Sequence, residues 1–191
     1  MKRTWTWKRQ LLAALIAILV GAVLGSLVQT QINLAALTGL GVTITPGQRL
    51  AALGHDLLSF APIYGGLFAA IFLPALAITG GVLRVLRWPC PGAWYALGAA
   101  VGLWAGLALV NAFAPMPTLI AATREAPGLL AMMATAGLAG WVFASLSRAP
   151  GEAVPANTGN TVPALAGVLV LAASGAMPDV ARAQAAQSES A

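Results

Sequence analysis

Apolar residues gather in four long runs separated by short polar or turn-forming stretches. Leu11 to Val28 carries no charge, Leu57 to Leu83 carries none in 27 residues, and Ala93 to Phe113 and Leu129 to Leu146 carry none. The hydrocarbon core of a bilayer is about 30 Å thick and takes about 20 apolar residues per helix, shorter stretches being accommodated by thinning and snorkelling. The pattern therefore predicts four transmembrane helices. A fifth run, Pro163 to Met177, has 15 residues, a signal-peptide rather than a spanning length. The expected fold is all-α, a polytopic transmembrane helical bundle of four spans with a candidate short fifth. Residues 1–148 form its transmembrane domain, 149–162 a flexible linker, and 163–191 the short apolar segment with a polar tail.

Composition makes lipid the first partner. The chain is 59% hydrophobic and 8% charged, whereas a soluble domain carries about 25% charged residues. Ten Lys and Arg stand against five Asp and Glu, a formal charge of +5. They lie in short connections rather than in a stripe with interleaved aromatics, which argues against nucleic acid. The single cysteine, Cys90, excludes an intramolecular disulfide and a multi-thiolate metal site, and the single histidine, His55, cannot by itself supply one. Neither a metal nor another cofactor is expected.

The flanking charges orient the spans, because Lys and Arg in short loops are retained on the cytoplasmic side. Lys2, Arg3, Lys8 and Arg9 precede the first span, Arg84 and Arg87 follow the second, and Arg148 follows the fourth, so seven of ten basic residues fall on one side. The expectation is a multi-pass protein of the bacterial inner membrane with its N-terminus cytoplasmic. Trp5, Trp7, Trp88, Trp94 and Trp141 suit interfacial anchoring. The first run has the basic start of a signal peptide, but its 18 residues are long for one and no clean small-x-small ending follows, so a retained anchor is favoured. At the other end, Ala181-Arg182-Ala183 does give such an ending, leaving open insertion, cleavage after Ala183, or an interfacial helix.

Helices in lipid associate through close backbone approach. Gly21 and Gly25 share a face of the first span, Gly98, Gly102 and Gly106 of the third, and Ala136, Gly140 and Ala144 of the fourth. The second offers Gly65 with Ala69 and Gly66 with Ala70, and carries Pro62, Tyr64 and Pro74. Packing within one bundle is the first reading of these seams, a homodimer face the second.

The stretch "TITPGQRLAALGHD" has Thr45 as an N-cap, Pro46 as the first helical residue and Gln48 closing a capping box. The helix so begun either lies on the membrane surface, with Gly54 as a weak joint and Asp56 capping the next helix, or runs directly into the second span. His55 and Asp56 are adjacent and diverge by about 100° of arc, so they do not face one another as a dyad. By topology they share a membrane face with Asn111, Arg124 and Glu125, a candidate periplasmic-face polar cluster. The metal pair HExxH, the elbow Gly-x-Ser-x-Gly and the phosphate loop are all missing from the sequence, and enzyme is the weaker reading.

The stretches "SFAPIYGGLFAAIFLPALAITGGVLRVLR" and "VNAFAPMPTLIAATREAPGLLAMMATAGLAGWVFASLSR" resemble a family of small, uncharacterised four-helix bacterial inner-membrane proteins over residues 55–148. The matching positions are Asn111, Thr123, Arg124, Gly140, Trp141 and Phe143, with departures at Val110 and at Ala131-Met132-Met133. The resemblance implies no activity, and only a genomic association with secreted quinone-dependent sugar dehydrogenases. The function expected is a non-enzymatic structural or interaction module that packs with itself, as a homo-oligomer, or with a membrane or periplasmic partner. The alternative is a small-molecule carrier or membrane enzyme using the polar cluster.

Overall fold

The computed structural model describes residues 2–86, 90–113, 120, 123 and 126–148, with side chains from Trp7 onward. Four helices follow one another: α1 Lys2–Gly39, α2 Pro46–Leu86, α3 Pro91–Phe113 and α4 Ala126–Ser147. Each is long and apolar enough to cross a membrane, the architecture of a multi-pass transmembrane bundle. Consecutive helices pack against one another, and α1 closes the ring against α4. The fifth apolar run, the linker and the site after Ala183 lie outside the described residues.

The α1–α2 turn is determined locally at both ends. Gly41 takes φ +83, the left-handed conformation in which glycine has no Cβ penalty. Its N–H donates to Thr38 O at 3.0 Å while Val42 N–H donates to Leu37 O at 3.2 Å, the paired bonds of a Schellman cap. Three residues on, Thr45 N–H donates to Gln48 Oε1 at 2.9 Å, and Gln48 N–H returns to Thr45 Oγ1 at 3.4 Å. That is the reciprocal capping box, with Pro46 at the first helical position.

From Pro46 the helix continues without interruption to Leu86, so Gly54 is no joint and no separate surface helix precedes the second span. Asp56 therefore does not cap a helix: it lies ten residues inside one, where every backbone amide already has a partner one turn back. The same continuity carries α1 eleven residues beyond Val28. Hydropathy sets where a span leaves the hydrocarbon, but a helix bonds its own backbone and has no need to stop there.

The core is built from rings set against glycines. Phe60, Tyr64, Phe68 and Phe72 recur every fourth residue along α2, with successive centroids 5.5, 5.8 and 4.8 Å apart. Gly21 lies against the Phe68 ring and Gly25 against the Tyr64 ring, so closely that a Cβ at either would overlap it. Gly98, Gly102 and Gly106 of α3 face Thr79, Ala75 and Ile71 of α2 in the same close manner, and Gly140 of α4 meets the backbone of Tyr95 and the Ala99 Cβ. Ala136 and Ala144 are buried in α4. The small-residue seams thus face inward. A Cβ added at Gly65 would come within 3.2 Å of the Ala22 Cβ, whereas one at Gly66 would meet nothing within 4 Å, so Gly66 belongs to no seam of the bundle. Pro62 and Pro74 lie on the exposed side of α2.

At 1.5 Å per residue, the 38 and 41 residues of α1 and α2 run about 57 and 62 Å, against about 34 Å for the 23 of α3. The α2–α3 register, with Gly106 opposite Ile71, brings Phe113 level with Tyr64. Residues 46–63 of α2, together with the end of α1, consequently extend beyond α3 as a two-helix projection. We expect Gly102→Leu to force α2 and α3 apart and cost about 1–3 kcal/mol, while Leu109→Ala, at a position 60% exposed, changes little. Thermal unfolding in detergent checks this, and equal midpoints would contradict the inward-facing seam.

Candidate functional site

The polar chemistry of the interior begins on α1. Ser26, Gln29 and Thr30 are buried, and their spacing of three and four residues places them on one face. Across from them on α2, Asp56 is half-buried. Thr30 Oγ1 lies 2.7 Å from Asp56 Oδ2 and 2.9 Å from Ser26 O. One hydroxyl proton serves one acceptor at a time. It is shared between Asp56 Oδ2 on the neighbouring helix and Ser26 O on its own. The bond to Asp56 ties α1 to α2.

Two turns further along α2, Tyr64 is 2% exposed. Its hydroxyl points toward Thr135 of α4 without closing a hydrogen bond of ordinary geometry. Thr135, fully buried, donates to Met132 O at 2.7 Å within its own helix. Polar atoms from α1, α2 and α4 thus stand in successive layers of the bundle's interior.

His55 points away from this seam. It is exposed, and its carbonyl accepts Ser59 Oγ at 2.8 Å. Asn111 is half-buried near the end of α3. With Trp104, Leu107, Ala108, Thr123 and Leu129 it lines a shallow cavity of about 130 Å³ between α3 and the start of α4. Thr123 is turned back on its own segment, donating to Ile120 O at 2.8 Å. By the α2–α3 register Asn111 stands level with Gly66, ten residues and so about 15 Å below Asp56. Of the five candidate residues, His55, Asp56 and Asn111 occupy three separate surroundings, and Arg124 and Glu125 lie outside the described residues. No group of three or more His, Cys, Asp or Glu able to hold a metal occurs among the described residues.

Sequence reasoning passed over Ser26, Gln29, Thr30 and Thr135. The first three fall at or past the expected end of span one, where polar residues are unremarkable. The signal that could have found them is their common face, continued from Gly21 and Gly25. The chain matches no protein-family profile, no curated protein and no solved structure.

Removing one partner of a hydrogen bond to a carboxylate leaves the other unsatisfied, whereas replacing both by apolar groups is close to neutral. Thr30→Val should therefore lower stability by about 1–2 kcal/mol, and the pair Thr30→Val with Asp56→Leu should recover most of that loss. Chemical unfolding in micelles measures both; additive losses would show that the two residues are not coupled.

Proposed function

We propose that the chain is a non-enzymatic inner-membrane module whose α1–α2 projection, on the periplasmic side, engages a second copy or a membrane or periplasmic partner. The observation that carries this reading is the projection itself. Beyond α3 its surface presents Leu40, Leu50 and Leu58 at 81, 72 and 83% exposure, with Leu37, Val42 and Leu57 beside them. Gln48, Arg49 and His55 are interspersed. Large apolar side chains on an element that outruns the hydrocarbon mark a surface fit for contact rather than for lipid alone.

The competing reading, a small-molecule carrier or membrane enzyme, draws less support. Asp56 is engaged by Thr30, Asn111 stands about 15 Å below it, and His55 is directed outward. The resemblance over residues 55–148 accords with an accessory role, with a periplasmic dehydrogenase as one class of partner.

The orientation rests on retention of Lys and Arg at the cytoplasmic face, since α1 begins and α4 ends at the basic end of the bundle. A cysteine replacing Thr43 in a Cys90→Ala background should react with an impermeant maleimide added from the periplasm. One replacing Leu86 should react only after the membrane is opened. The reverse pattern overturns the orientation. A photoreactive residue at Leu58 should form a protein adduct, either a dimer or a hetero-complex, while one at Leu109 labels lipid; lipid labelling at both positions would sink the interaction role.

A further inference from the structure

The basic end of the bundle holds cations with no carboxylate partner among the described residues. Arg9 reaches from α1 to α4 and donates from Nε to Leu146 O at 2.9 Å. That carbonyl belongs to the last turn of α4, where the chain has no amide of its own to offer and the helix dipole is negative. Arg9 thereby closes the α1–α4 seam and fixes its guanidinium there. Arg148 follows directly after the end of α4, its side chain half-buried, with Nη2 enclosed and bonded to nothing. Lys8 stands exposed beside Arg9. Among the described residues the one carboxylate is Asp56, near the far end of α2 and held by Thr30.

A second enclosed donor lies on the same face. Trp141 precedes Arg148 by seven residues, two helical turns, and its Nε1 is likewise buried without an acceptor. Unpaired buried donors are costly, and charged ones most of all. Three cations at this end, Lys8, Arg9 and Arg148, with no carboxylate beside them among the described residues, call for an anionic partner. Arginine recognises phosphate through paired N–H donors, and basic pockets between transmembrane helices hold lipid headgroups.

We infer that the α1–α4 seam at Arg9 and Arg148 is a binding site for the phosphate headgroup of an anionic phospholipid. The phosphate sits against Lys8 and the guanidinium groups of Arg9 and Arg148 at the open end of the seam. The lipid closes the cationic end of the helix ring.

The test uses the full-length protein, delipidated in a neutral detergent. Phosphatidylglycerol in mixed micelles should raise the unfolding midpoint by about 5 °C, whereas phosphatidylcholine, or inorganic phosphate at matched ionic strength, should not. Arg148→Gln and Arg9→Gln should each abolish the lipid-induced shift, and Arg49→Gln, which removes a charge at the opposite end, should keep it. The readout is the shift and not the basal midpoint, so a mildly destabilised variant still reports; if Arg148→Gln does not fold, Arg9→Gln and the lipid selectivity of the unaltered chain decide. An equal shift with inorganic phosphate would assign the site to the free ion and overturn the lipid. Equal shifts with both lipids, or with Arg49→Gln as the sensitive variant, would overturn the site. A lipid-free destabilisation of Glu152→Gln equal to that of Arg148→Gln would give the guanidinium to that carboxylate instead, with the same consequence.

Discussion

The structure depends on rings fitted against missing side chains. In lipid, helices gain little from hiding apolar surface, so their relative placement is decided by contact and shape. Phe60, Tyr64, Phe68 and Phe72 make one face of α2 a continuous aromatic ridge. Only glycine at 21 and 25 lets the α1 backbone come up against it. A shift of α1 along its axis by a single turn would set Gln29 against the Tyr64 ring in one direction or Ala17 against the Phe68 ring in the other. Once the ridge is seated, the register of everything beyond it follows. Thr30 arrives at Asp56 because Gly25 is opposite Tyr64, and Asp56 acquires a bonding partner as a result of packing two turns away.

That register also explains why the polar residues do not gather into one site. Helices α3 and α4 span about one hydrocarbon thickness, while α1 and α2 run nearly twice that. Residues that belong to the same membrane side by their order in the chain are thus spread along the bundle axis. Asn111 ends its helix where α2 is still in the aromatic ridge, and Asp56 stands higher, between two helices that have already left α3 behind. Membrane side is a coarse coordinate; it fixes which end of a helix a residue occupies and says nothing of its depth.

The sequence carried the four helices and their small-residue seams because both are periodic signals read within one helix. Gly98, Gly102 and Gly106 declare a face whatever lies opposite. What lies opposite, the Thr79, Ala75 and Ile71 side chains, depends on register between helices, which no single run encodes. The capping box at Thr45 and Gln48 was legible for the same reason as the glycines, being closed within four residues. The sequence left open whether Asp56 caps a helix or lies within one, because a charge at the edge of an apolar run looks the same whether the helix starts there or merely enters the membrane. Thr30 was overlooked because its worth lies in a partner 26 residues away.

The turn between α1 and α2 has a consequence for how the chain is made. Both of its ends are specified by bonds between residues at most five apart in sequence, from the Gly41 cap to the Thr45–Gln48 box. No distant part of the molecule is needed to set its direction. The nascent polypeptide therefore carries a complete instruction for reversal by the time Gln48 is synthesised, and contacts between neighbours in the chain form fastest. The reversal therefore needs nothing from α3 or α4, and the face of α2 that α1 covers is specified before either of them is made.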